Sequence, residues 1–150
     1  MSVHLDSVSA DERQWSMLGH VSGLLAFTGI PFGGVIGPWY VYLQNKKSRP
    51  VAAAQARNAL NFHLTIGSIQ VLCVLLILYG YFGSAVRLVT MHRQPVSLPP
   101  AIAQSLTIMG IAMFLWLAIY VWSFVFTLIG TIRASDDILY EYPLAIRFVR

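Results

Sequence analysis

Residues 14–45, 58–86 and 94–132 form three stretches without a single Asp, Glu, Lys or Arg. A bilayer hydrocarbon core about 30 Å thick is crossed by roughly 20 apolar helical residues, so each stretch is long enough to span it. A small soluble helical domain is excluded on the same ground. Its helices need polar faces towards water, and these stretches offer few polar positions. The composition agrees, with 57% hydrophobic and 11% charged residues where soluble domains hold about 45–50% and about 25%. At 150 residues there is room for one domain. The sequence predicts an all-α integral membrane bundle of three to four helical segments.

The charges set the expected partners and orientation. A net charge of +4 invites a nucleic-acid reading. The basic residues, however, sit at the ends of apolar stretches and form no face of their own, so anionic lipid headgroups are the expected partner of Lys46, Lys47, Arg49 and Arg57. Basic residues collect on the cytoplasmic side of a membrane. If residues 14–45 cross once, the count is seven basic residues inside against three outside, and if they fold back it is eight against two. Either way the basic loop 46–57 and the tail 133–150 are predicted cytoplasmic in a bacterial inner membrane, with residues 87–100 as an outer loop. The polar segment 1–13 carries Asp6, Asp11, Glu12 and Arg13. It lacks the basic start of a secretory signal, so the first stretch is expected to serve as an uncleaved anchor.

The first apolar stretch is interrupted. Residues 28–38 hold four glycines and two prolines, from Gly29 and Pro31 to Gly37 and Pro38. Proline removes an amide donor and clashes with the preceding helical turn, so a break over Gly29–Pro38 is expected, giving either a kinked single span or, as the favoured reading, two short helices, Trp15–Thr28 and Val35–Gln44, in a hairpin. Gly19 and Gly23 form a G-x-x-x-G that admits a second helix backbone. His20 lies inside it, and the favoured reading is a neutral imidazole hydrogen-bonded across a helix contact.

In the second stretch Asn58, Asn61, Thr65 and Ser68 recur at helical spacing. That spacing puts four polar side chains on one face, expected to point into the bundle. His63 lies off this stripe. No metal-ligand spacing is present, and Cys73 is the single cysteine, so no metal or cofactor is expected. The helix is expected to emerge at Tyr79–Phe82. In the third stretch Trp116, Tyr120 and Trp122 are expected to pack against neighbouring helices, and Ser123, Thr127 and Gly130 to form a small-residue contact face. Asp136 or Asp137 is expected to pair with Arg133 or Arg147. Leu144, Ile146 and Phe148 beside Arg147 and Arg150 fit a segment lying on inner headgroups.

His20-Val21-Ser22-Gly23, Gly37-Pro38-Trp39 before Lys46-Lys47, Ala59-Leu60-Asn61-Phe62, and Tyr140-x-Tyr142-Pro143-Leu144 with Ile146-Arg147 recur in order along the chain. On these pieces it resembles the DUF4870 group of small bacterial membrane proteins, itself similar to the chloroplast import component Tic20. The resemblance implies Pro38, Phe62, Tyr140, Tyr142 and Pro143 as family-motif positions, and by analogy a part in membrane protein handling.

The spans offer no acidic residue, so no base and nucleophile set is available and an enzyme is not expected. The favoured function is a non-enzymatic membrane module acting through helix–helix or protein-partner contacts, including contacts with its own copies. The alternative is a small channel or carrier subunit with a pathway along Asn58, Asn61, Thr65 and Ser68.

Overall fold

The computed structural model describes residues 3–4, 8–28, 32–90 and 100–150. Among them are four α-helices: α1 (Ala10–Val21), α2 (Gly33–Asn45), α3 (Pro50–Thr90) and α4 (Pro100–Ser135). A 3₁₀ segment, Ser22–Phe27, follows α1. Two short strands, β1 (Val3–His4) and β2 (Ile138–Leu139), pair antiparallel with Val3 opposite Leu139. The chain divides into two compact units, Met1–Gly67 with Trp122–Arg150, and Ser68–Val121.

In the first unit, α1 starts where Ser9 accepts a 3.1 Å hydrogen bond from the Glu12 amide. Asp11 and Glu12 in the first turn suit the positive end of the helix. The apolar stretch then resolves into two packed pieces. Gly37 of α2 lies against Ser22, and Gly33 against Leu25, so α2 runs antiparallel to the segment before it. A Cβ at Gly37 would stand 2.5 Å from the Ser22 carbonyl oxygen. Phe32, at φ 58°, brings the chain into α2. The expected second helix, Val35–Gln44, corresponds to α2, which starts within the predicted break at Gly33. Residues 29–31 lie outside the described residues, but Pro38 is buried within α2. Its missing amide frees only the Gly34 carbonyl near the helix start, and the helix continues through it.

Helix α3 begins inside the basic segment 46–57, at Pro50, a residue suited to a first helical turn. Arg49, expected at headgroups, has partners within the chain. It donates to Asp11 at 2.5 Å and lies over the Trp15 ring, 5.4 Å from its centroid. Glu12 accepts from the Val51 amide at 2.8 Å, filling one of the open donors at the start of α3. These contacts bring the start of α1 to the end of the α2–α3 connection. Lys46 and Lys47 remain exposed. Beyond them, Ala52, Ala53, Ala56 and Ala59 are buried. Their small size lets α1 approach: a Cβ at Gly19 would stand 3.0 Å from the Ala56 Cα.

In the second unit α3 and α4 pack antiparallel. Gly80 meets Met109 and the Ser105 carbonyl, and the Arg87 guanidinium donates to the Ser105 hydroxyl at 3.0 Å. Cys73, Ile102 and Ala112 are buried there. Helix α3 continues past Tyr79–Phe82 to Thr90. Trp116 stacks on Tyr120, and Trp122 on Phe126, each along α4 itself. Trp122 is exposed, contrary to the packing expected from sequence; rings four residues apart on a helix find each other before they find a neighbour.

Both long helices are apolar on their outward faces. With 41 residues in α3 and 36 in α4, they measure about 62 Å and about 54 Å at 1.5 Å per residue. Their most apolar windows are only 28% and 11% buried, whereas the core helix of a soluble protein is mostly enclosed. Val71, Leu75, Phe82, Phe114, Leu117 and Val121 are all exposed.

The glycines separate tight contacts from open ones. A Cβ at Gly23 would overlap the His63 imidazole, while none of the surrounding atoms lies within 4 Å of one at Gly110. Gly23→Ala is expected to destabilise by about 1–3 kcal/mol through overpacking. Gly110→Ala is expected to be neutral or to stabilise by up to about 1 kcal/mol through helix propensity. Thermal unfolding of both variants in one mild detergent measures the opposite signs.

Candidate functional site

The polar stripe on α3 is occupied by the chain's own tail. After β2 the tail runs along α3 without regular structure, so its backbone amides and carbonyls need partners from elsewhere. Side chains of α3 supply them. Gln55 donates to the Ile138 carbonyl at 2.7 Å and accepts from the Tyr140 amide at 3.1 Å. Asn58 donates to the Tyr140 carbonyl at 2.9 Å. The chain then turns at Leu144, which takes a left-handed φ of 63°, and doubles back. Thr65 accepts from the Ile146 amide at 2.9 Å, and its own hydroxyl donates to the Asn61 carbonyl at 2.8 Å. Asn61 clasps residue 149 from both sides, donating to the Val149 carbonyl at 3.0 Å and accepting from its amide at 2.8 Å.

His20 closes the top of this ladder. Its Nε2 lies 2.9 Å from the Gln55 Oε1 and its Nδ1 lies 2.8 Å from the Tyr142 hydroxyl. The backbone partners of Gln55 fix which end of its amide is oxygen, so Oε1 accepts and His20 donates from Nε2–H. Nδ1 is then an acceptor and Tyr142 donates to it. The imidazole is neutral with both nitrogens satisfied, and it is fully enclosed. Burial pushes the Tyr142 phenol above its ordinary value, which keeps that proton in place. Tyr142 also stacks on Phe62 at 4.1 Å with 13° between planes. At Gly130 of α4, a Cβ would stand 2.6 Å from the Tyr142 hydroxyl and 2.9 Å from His20 Nδ1. That glycine makes room for the pair.

His63 is a second enclosed imidazole. Gly23 and Gly34 press on it, and its Nε2 lies 3.4 Å from the Thr127 hydroxyl. That hydroxyl already donates to the Ser123 carbonyl at 2.8 Å, so His63 is the donor towards it. The base of the tail is tied by charge. Arg13 makes a two-pronged ion pair with Asp137, which raises the Arg13 pKa through the hydrogen bond and the attraction. The sequence expectation paired Asp136 or Asp137 with Arg133 or Arg147. Arg147 instead faces Glu141 at 3.4 Å. A residue distant in sequence takes Asp137 because α1 starts beside the end of α4.

The predicted stripe residues therefore divide. Asn58, Asn61 and Thr65 act on one object, the tail backbone, whereas Ser68 is exposed and belongs to the second unit. Gly19, His20 and Gly23 are brought to α3. Sequence reasoning began the stripe at Asn58 and missed Gln55, whose signal was present three residues earlier on the same face. No group of three or more His, Cys, Asp or Glu among the described residues is disposed to hold a metal ion.

Fold and site together define a small helical protein with two long, outwardly apolar helices and a tail hydrogen-bonded back onto the first of them. Over residues 11–149 the chain matches the MamF_MmsF family, the magnetosome magnetite crystal formation protein family, and it belongs to that family. No curated protein and no solved structure is similar enough to match. The resemblance to DUF4870 and Tic20 is thereby overturned. Several pieces that carried it (His20, Gly23, Phe62, Tyr140, Tyr142) are residues that lock the tail and α1 against α3. They mark a packing requirement and not that lineage.

Each rung of the ladder has a measurable weight. Tyr142→Phe keeps the stacking on Phe62 but leaves His20 Nδ1 without its donor, a loss of about 1–3 kcal/mol. Gln55→Leu abandons His20, Tyr140 and Ile138 at once and is expected to cost more. Thermal unfolding ranks the two variants, and tryptic cleavage at Arg147 is expected to quicken in the same order.

Proposed function

We propose that this chain is an integral protein of the magnetosome membrane and acts there, without catalysing a reaction, as a structural module in magnetite crystal formation. The observation that carries this reading is the family match along nearly the whole chain. The outward apolar faces of α3 and α4 support the membrane setting. The contacts of Asp11 with Arg49 and of Arg13 with Asp137 gather the start of α1, the α2–α3 connection and the tail at one end of the first unit. That end carries Lys46, Lys47, Arg147 and Arg150 and faces the cytoplasm by the positive-inside rule. Function then rests on helix–helix or partner contacts made by the exposed faces. A pathway along Asn58, Asn61 and Thr65 is disfavoured, because those side chains hold the tail and opening it requires breaking their hydrogen bonds.

Deleting the gene in the magnetite-forming bacterium that encodes it tests the reading. Crystals altered in size or shape by electron microscopy, and restored by the wild-type gene, are expected. The chain is also expected to stay with purified magnetosome membranes through alkaline carbonate washing. Unchanged crystals, or release of the protein by carbonate, overturn the proposal.

A further inference from the structure

Leu144, Ile146 and Phe148 project from the tail with 84%, 58% and 52% of their surfaces exposed. Alone, three exposed apolar side chains on an irregular segment say little. Here the backbone beneath them is fixed: the Ile146 amide is held by Thr65, and both polar groups of Val149 by Asn61. Non-helical backbone survives at membrane depth only when its amides and carbonyls are satisfied by protein. Pro143, beside the turn, carries no amide donor to satisfy. Thr65 precedes Ile69, the first exposed large apolar side chain of α3, by four positions in sequence. Arg147 and Arg150 follow it, and both are exposed.

We infer that the turn around Leu144 is a membrane-inserting wedge. Leu144, Ile146 and Phe148 enter the hydrocarbon edge of an anionic leaflet while Arg147 and Arg150 meet its headgroups. The α3 ladder thus has a purpose beyond docking: it pairs the Ile146 amide and both polar groups of Val149, so that the turn's side chains can enter lipid while the rest of its backbone stays at the hydrated headgroup level. Apolar chains seek the acyl boundary and the arginines seek acidic headgroups, which selects a bilayer surface over a second protein. The inference rests on the membrane reading above.

The test uses full-length protein carrying Cys73→Ala, labelled with the fluorophore NBD at Leu144→Cys or, separately, at Phe114→Cys. Both variants are reconstituted in vesicles of phosphatidylcholine with and without phosphatidylglycerol. NBD at position 144 is expected to emit at shorter wavelength than NBD-cysteine in buffer. Its quenching is expected to be strongest by lipid spin-labelled near the headgroup, and stronger with phosphatidylglycerol present. Arg147→Gln with Arg150→Gln is expected to abolish that lipid preference. If position 144 is quenched by aqueous iodide while position 114 reports hydrocarbon, the wedge is wrong and the membrane reading stands. If both positions report water, both fail. A probe at 144 shielded from iodide and from every spin-labelled lipid means that protein covers the turn, and overturns the wedge.

Discussion

The rest of this structure depends on the cost of leaving peptide groups unpaired. A tail of irregular backbone lies against a helix whose own amides and carbonyls are already used, so only side chains can answer it. Gln55, Asn58, Asn61 and Thr65 do so at four levels. Each bonds main-chain atoms, which makes the contact one of position and shape more than of tail sequence. Once the tail is fixed, Tyr142 is delivered to His20, and His20 to Gln55, so the N-terminal helix and the tail are locked to α3 through one imidazole.

Glycine supplies the second condition. Two imidazoles sit inside the first unit, and each is accommodated where a neighbouring helix lacks a side chain: Gly130 beside His20, Gly23 and Gly34 beside His63. Neutral histidines with satisfied ring nitrogens behave as hydrogen-bonding core residues. They join helices without the desolvation penalty of a buried charge. Two ion pairs lie instead at the end of the unit, where Arg13 meets Asp137 and Arg49 meets Asp11.

Much of this was legible in the sequence, and the reasons differ by element. The uncharged runs, the interruption after Phe27 and the polar face of α3 are written in local composition and helical spacing. Pro38 sits inside α2 because one lost hydrogen bond near a helix start is outweighed by packing around a buried residue. The object that the polar face holds was beyond local reading. Nothing near Asn61 or Thr65 names Val149 or Ile146, more than eighty positions away. Family membership was equally out of reach of short motifs, since the tail-locking residues constrain any chain that folds this way.

A polar stripe on an otherwise apolar helix invites thoughts of pores or partners. In this protein it has an internal client, and the outward faces of α3 and α4 left for lipid or for other proteins are mostly apolar. Backbone amide exchange of the wild-type protein in lipid nanodiscs tests that account most directly. The amides of Tyr140, Ile146 and Val149 are expected to exchange far more slowly than those of an unstructured peptide. Exchange of all three at unstructured rates would contradict it, leaving the α3 face open.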